Sequence, residues 1–345
     1  VYHALIRGET RGPLAAVARA GLRLASLPYA AVVWWRNRRY DRGVNVHRAG
    51  VPVVGVGNLT LGGTGKTPCV EWAARFYRDL GVRAAILSRG YGAEAGRNDE
   101  AMVLEENLPD VPHLQDPDRV TAAARAVEEL ESELLILDDG FQHRRLHRDL
   151  DIVLIDATAP PHRDRLFPAG TLREPVGSLR RANVIVVTRA DQADRGATDE
   201  LRDWLTTRFP GKPVAWSEHR PTALIGTEQP VESLRRQTIG AFCGIGQPAA
   251  FRRTLEDLGA GVADFRTYPD HHPYTRADVD GLRAWAGRLP PGAAVVTTQK
   301  DWVKFRLPDL AGRPLLALRV GLVFRDGRDV FERALRAVAP PAPAD

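Results

Sequence analysis

Residues 57–68 read GNLTLGGTGKTP, a stretch with four glycines, Lys66 and Thr67. It follows the apolar run VPVVGVGN (51–58), which reads as a buried strand. It precedes KTPCVEWAARFYRDLG (66–81), which reads as a helix closed by Gly81. Strand, glycine loop, Gly-Lys-Thr and helix together are the context for holding a phosphate. Gly62, Gly63, Thr64 and Gly65 are small enough for successive backbone amides to face phosphate oxygens, and the helix N-terminus adds partial positive charge. Lys66 would reach the β- and γ-phosphates and Thr67 would ligate Mg2+. Thr60 stands where the first glycine of G-x-x-x-x-G-K-T would fall. The competing reading is a tight turn. Against it, the chain has only four lysines (Lys66, Lys212, Lys300, Lys304), so a lysine in the loop is not compositional filler. Its compact charge suits insertion between phosphates.

A second stretch, ELLILDDGFQHRRLHRD (133–149), is an apolar strand ending in Asp138 and Asp139. Carboxylates at a strand tip beside a phosphate loop hold Mg2+ directly or through water. His143 and His147 stand four residues apart but lack a third ligand, so they read as polar surface or substrate contacts. VIVVTRAD (184–191) resembles a guanine-reading N/T-K-x-D motif with Arg189 for lysine, which keeps a GTPase or metal-chaperone-type NTPase open. An ordinary strand end fits it equally well, and TTQKD (297–301) carries the same ambiguity.

These groups need a scaffold that ends strands at one edge. Short apolar runs (83–92, 133–140, 151–157, 182–191) alternate with helical patterns such as 116–132, for which Asp116 or Asp118 is the N-cap. That is the pattern of an α/β fold with a mostly parallel sheet covered by helices on both faces. A second, smaller α/β set begins at TIGAFCGIG (238–246), and its helix 275–289 opens with a Thr275/Asp278 capping box. The expected organisation is an N-terminal segment over 1–50, a phosphate-loop domain over 51–222, a connection over 223–237 and the smaller domain over 238–345. The tail APPAPAD is expected to fray.

Composition narrows the function classes. The 44% hydrophobic and 26% charged content is that of a globular chain with an ample core. Cys69 and Cys243 form no metal spacing and fit a reducing compartment. Of the net charge of +5, residues 1–50 hold +7 (nine arginines against Glu9 and Asp41), leaving −2 elsewhere. A broad nucleic-acid face is therefore not expected, and no obligate protein partner is evident. The uncharged run LASLPYAAVVWW (24–35) lies between Arg23 and Arg36 and is too short to cross a bilayer. Paired tryptophans followed by RNRR suit a membrane surface, whereas a helix packed on the protein's own core is the plainer alternative.

As a set, VGNLTLGGTGKTP, ILSRGYG (86–92), DPDR (116–119), LDDGFQH (137–143), FPAGTLREP (167–175), AFCGIGQPAAF (241–251) and YPDHHPY (268–274) resemble the tetraacyldisaccharide 4'-kinase family. The resemblance runs in family order from residue 51 to about 301. It implies transfer of the γ-phosphate of ATP, with Mg2+, to the 4'-hydroxyl of an acylated glucosamine disaccharide 1-phosphate. It also implies a peripheral enzyme at the cytoplasmic face of the inner membrane, with the active site in the cleft between two domains. The N-terminal apolar-basic segment fits that setting. NDEA (98–101) matches the family's Gly-Asp-Glu-Pro segment, with Asn98 and Ala101 departing from it. Asp99 is then the candidate base, Glu100 its acidic neighbour and His271 its tuning partner, with His272 as rival. The same resemblance puts Arg173 and Glu174 along the cleft and makes Arg119 and His143 lesser candidates. A non-enzymatic lipid-binding module is the remaining alternative, and it would need fewer of these groups.

Overall fold

The computed structural model describes residues 2–6, 8–90 and 99–341. Tyr91 and Gly92 of ILSRGYG, Asn98 of NDEA and the last four tail residues lie outside the described residues. The chain opens with α1 (Tyr2–Ile6) and α2 (Pro13–Asp41), then β1 (Val53–Asn58), α3 (Lys66–Asp79) and β2 (Ala84–Ser88). Next come α4 (Asp99–Asn107), β3 (His113–Gln115), α5 (Arg119–Glu128), β4 (Leu134–Asp138) and β5 (Leu150–Asp156). They are followed by β6 (Val184–Thr188), α6 (Arg195–Arg208) and β7 (Val214–Ile225). The remainder is β8 (Thr238–Cys243), α7 (Pro248–Asp257), β9 (Gly261–Thr267), α8 (Arg276–Ala286), β10 (Ala294–Thr298) and α9 (Gln299–Trp302). It closes with β11 (Asp309–Leu310), β12 (Arg313–Asp326) and α10 (Arg328–Arg336).

The chain divides into two units, and the boundaries differ from the expected ones. Unit 1 takes 1–89, 111–218 and 323–345, and unit 2 takes 90–110 and 219–322. The stretch 90–110, expected in the first domain, belongs with unit 2, and 323–345, expected in the second, belongs with unit 1. Nor is 223–237 a mere connection: β7 runs to Ile225, and Val231 and Leu234 are buried in unit 2's core. Such assignments are set by contacts between distant residues, which local patterning does not report.

In unit 1 the strands lie in the order β3-β2-β4-β1-β5-β6-β7, and the pairs are parallel. β1, β4 and β5 are buried along their whole length, as expected of strands covered on both faces. Ala122, Ala123 and Ala126 of α5 pack on Val53, Leu87 and Leu135, while Leu201 and Leu205 of α6 pack with Val153, Ile185 and Val187. α10 returns to α3: the Tyr77 hydroxyl donates to Leu335 O (2.9 Å), and Trp72 meets Phe331 at 5.2 Å. In unit 2 the order β12-β10-β8-β9 is again parallel. β8 shows the strand period directly: Ile239, Ala241 and Cys243 face Phe251 and Leu255 of α7, and Phe242 faces Trp285 of α8.

α2 is longer than the apolar run inside it, because Arg19 and Arg23 interrupt the hydropathy but not the helix. Its 29 residues make it the one helix, among the described residues, long and apolar enough by length and composition to cross a membrane. Ala15 and Val33 are buried and Ser26, Tyr29 and Asn37 bond Leu166, Arg173 and Glu174, whereas Val17, Leu24, Leu27, Trp34 and Trp35 are exposed.

Candidate active site

The phosphate loop starts where β1 stops. A Cβ on Gly57 would stand 2.6 Å from the Phe141 backbone nitrogen, so only glycine lets β1 pass the turn after β4. Gly62 (φ 107) and Gly65 (φ 84) take left-handed conformations, and Gly65 caps α3 directly ahead of Lys66. Donors from the protein occupy the loop's carbonyls. Asn58 Nδ2 donates to Gly62 O (3.4 Å), Arg189 to Gly63 O (2.8 Å) and the Thr188 hydroxyl to Thr64 O (2.9 Å). Arg189 is also paired with Asp156. Thr188 and Arg189 of TRAD therefore brace the phosphate loop, a role that the base-reading resemblance of the motif did not suggest.

Lys66 Nζ stands 3.6 Å from Asp139 Oδ1, and Arg173 donates to both Asp139 oxygens at 3.0 and 2.8 Å. Burial works to raise the Asp139 carboxyl, but Lys66 and Arg173 hold it below the usual carboxylate range. Asp138, at the tip of β4, accepts from the Asp139 amide (2.8 Å). It also acts on Cys69 in the first turns of α3: burial pushes that thiol up to about 12, with Asp138 adding to the shift. Thr67 and Asp138 thus offer hard oxygen donors at adjoining element ends, and the buried Thr64 hydroxyl in the same loop has no hydrogen-bond partner among the described residues. This set fits Mg2+, which is held by few protein oxygens and completes its shell with phosphates and water. No group of three or more His, Cys, Asp or Glu residues that could hold a metal ion occurs among the described residues.

Arg119 opens α5, which Asp118 caps by accepting from the Val120 amide (3.0 Å). Its side chain is buried, and its Nε has no hydrogen-bond partner among the described residues. Burial and Arg89 lower its pKa, while Asp139, Asp138 and Asp116 oppose the shift, so it adjoins the strand-tip carboxylates. His143 is pushed down to about 4 by burial and by Arg119, Arg148 and Arg145, which makes it a neutral ring at neutral pH.

Glu174 requires a correction. Expected to line the cleft, it is fully buried and accepts from Arg36 (3.3 Å), Asn37 (2.8 Å) and Arg181 (2.9 Å). It fastens α2 to the rest of unit 1. Arg173, its neighbour in sequence, is the member of the pair that reaches Asp139, the carboxylate beside Lys66.

In unit 2, Asp99 is the first residue of α4, and His271 Nδ1 lies 2.9 Å from both of its carboxylate oxygens. His271 sits at φ 59, which aims its ring back toward Asp99. His272 goes elsewhere: its Nε2 is 3.2 Å from Asp278, and its ring stacks on Tyr268 at 4.9 Å. Of the two rivals, His271 is thus the one joined to Asp99. Burial works to raise the Asp99 carboxyl, but the His271 hydrogen bond and the Lys304 and Lys300 charges hold it far below the ordinary range. The same bond raises His271, against the opposing effect of burial. Glu100 is bound to Lys300 (2.9 Å). Asp301 of TTQKD is fully buried and accepts from Gly244 N (3.0 Å) and the Thr298 hydroxyl (2.6 Å), so that motif is a helix cap. Lys300 and Lys304 stand in no sequence motif that gives them a role; scarcity is the one signal they share with Lys66.

The tetraacyldisaccharide-1-P 4'-kinase family model matches residues 18–339. The chain belongs to the tetraacyldisaccharide 4'-kinase family. A tetraacyldisaccharide 4'-kinase of Anaeromyxobacter dehalogenans (strain 2CP-C) is 42% identical, over 95% of this chain and 92% of that one. One of Chlorobaculum tepidum is 36% identical, over 91% and 96%. The crystal structure of LpxK from Aquifex aeolicus in complex with ATP superposes with a TM-score of 0.76 at 30% identity, covering 94% of this chain and all of that one. As a 4'-kinase of this family, the chain is an ATP-dependent phosphotransferase acting on a hydroxyl group, with Mg2+ as its metal. The GTPase alternative is not favoured.

Proposed function

We propose that the chain transfers the γ-phosphate of ATP to the 4'-hydroxyl of an acylated glucosamine disaccharide 1-phosphate. The observation that carries this reading is the Asp99–His271 pair at 2.9 Å, in a chain that also holds a Gly-Lys-Thr loop. A sugar hydroxyl is a poor nucleophile at neutral pH, and a positioned base is worth ~10²–10⁴-fold. Asp99, oriented by His271, takes the hydroxyl proton as the acceptor oxygen attacks phosphorus in line. The loop amides of Gly62, Gly63, Thr64 and Gly65 hold the phosphate chain. Lys66 leaves Asp139 for the β- and γ-phosphates, and Arg173 and Arg119 neutralise charge on the transferring group. Thr67 and Asp138, with Asp139, would hold Mg2+, and the chemistry such an ion would supply is neutralisation of phosphate charge.

The exposed face of α2 supports a peripheral place at the cytoplasmic face of the inner membrane. Trp34 and Trp35 stand out of the protein with Arg38 and Arg39 over their rings at 5.2 and 4.9 Å. Tryptophan and arginine side by side suit the headgroup layer, where an acylated acceptor resides. The test is incubation with labelled ATP, Mg2+ and the disaccharide lipid 1-phosphate. New phosphate on the 4'-oxygen is expected; ATP turnover indifferent to the acceptor would overturn the assignment.

A further inference from the structure

We propose that Lys304 is a positioning residue for the phosphate transfer, the third member of the Asp99–His271 pair, acting on the reaction through the Asp99 carboxylate. Its Nζ lies 3.3 Å from Asp99 Oδ2, and its side chain is 12% exposed. The ammonium is itself fixed. It donates to His272 O (3.2 Å), lies 3.7 Å from the buried Asp301 carboxylate and sits 5.6 Å from the Tyr274 ring centroid. Asp301 is held in turn by Gly244 N, Thr298 and the Tyr274 hydroxyl (3.1 Å). One buried anchor thus fixes Lys304, and Lys304 bonds the backbone beside His271 as well as the carboxylate that His271 meets. Cation and imidazole together decide which way the carboxylate turns.

The surrounding contacts serve the same end. α4 is laid against α9 and the turn after it by Glu100 with Lys300 (2.9 Å), Asn107 with Gln299 (2.7 Å) and Glu106 with Arg306 (3.0 Å). These hold the helix, whereas Lys304 reaches Asp99 itself. Lys300 is engaged by Glu100, and its side chain is about three times as exposed, at 35%.

Charge matters here as well as orientation. The pair is faced by Lys304 and Lys300, by Glu100 on α4, by Asp270 (3.8 Å from His271 Nε2) and, behind Lys304, by Asp301. Removing the nearest cation lets the pair keep its proton to higher pH. An opposite charge within ~4–6 Å is worth ~1–3 pH units to a carboxylate.

The inference rests on the kinase reading, and one experiment separates the two. Wild type, Lys304→Met, Lys304→Arg, Asp99→Ala and the Lys304→Met/Asp99→Ala double variant are assayed as full chains with ATP, Mg2+ and the lipid acceptor across pH. Lys304→Met is expected to lose ~10-fold or more in kcat at unchanged KM for ATP, and to move the acid limb of kcat/KM up by ~1–2 units. Lys304→Arg, which keeps the charge, is expected to hold the limb in place. In the Asp99→Ala background the lysine change is expected to cost nothing further. A wild-type profile in Lys304→Met, equal displacement in Lys304→Arg, or additive losses in the double variant would each overturn the proposal. Should Lys304→Met not fold by thermal melt, Lys304→Gln gives the same reading. A wild type inactive on the acceptor would instead sink the kinase reading itself.

Discussion

A histidine packed among three arginines gives up its proton readily, and His143 does so at about pH 4 rather than near 6.5. As pH falls below ~6.5 the unfolded chain binds this proton before the folded one does, so the His143 contribution lowers stability from there toward ~4 and changes no further below it. Melting temperature against pH is expected to show that slope, and His143→Gln to flatten it. At the phosphate loop, Lys66→Ala is expected to abolish product formation. Lys66→Arg is expected to fail too, since a planar fork does not fit where a compact charge sits. Asp99→Asn is expected to lower kcat by ~10²–10⁴-fold while the KM for ATP holds; a matching loss of ATP binding would remove Asp99 from the base role. Lys66, Thr67 and Asp138 could be proposed from local patterns of residue types, and Asp99 only through the family resemblance. Lys304 could not, because what makes it matter is a carboxylate some two hundred positions away.

α2 shows what a helix can carry on two sides. One side is tied down by the Tyr29 hydroxyl to Arg173 O (2.9 Å) and by Arg36 and Asn37 to Glu174, while the opposite side presents apolar and tryptophan side chains. Trp34→Glu with Trp35→Glu leaves the anchored side intact, so membrane recovery should fall while the melting temperature holds; unchanged partitioning would retire the surface-binding role. Glu174→Ala does the reverse. It strands Arg36 and Arg181, with an expected loss of ~3 kcal/mol in chemical denaturation. Elements with strong local signals were readable: the Thr275–Asp278 capping box opens α8 as expected, and Asp118 rather than Asp116 caps α5. α4 was missed, since DEAMVLEEN is too short to show a helical period and is held by its partners on α9. α10 went unnoticed although Phe331 and Leu335, four apart, mark its buried face.

Taken whole, the chain interleaves its two units: the first is drawn from three stretches and the second from two. Domain edges inferred along the sequence therefore could not match, because 90–110 and 323–345 each join residues remote from them. Leu335→Ala is expected to cost ~2–5 kcal/mol, as for other fully buried leucines, with the loss felt at α3 through Tyr77. Removing 323–341 should strip the cover from Trp72 and abolish ATP binding by calorimetry. The return of α10 to the helix that begins at Lys66 also orders events in time. A ribosome delivers the phosphate loop early, yet the hydrophobic wall behind it is supplied only after unit 2 has been made, so a nascent chain halted short of residue 335 lacks the support for a working nucleotide grip.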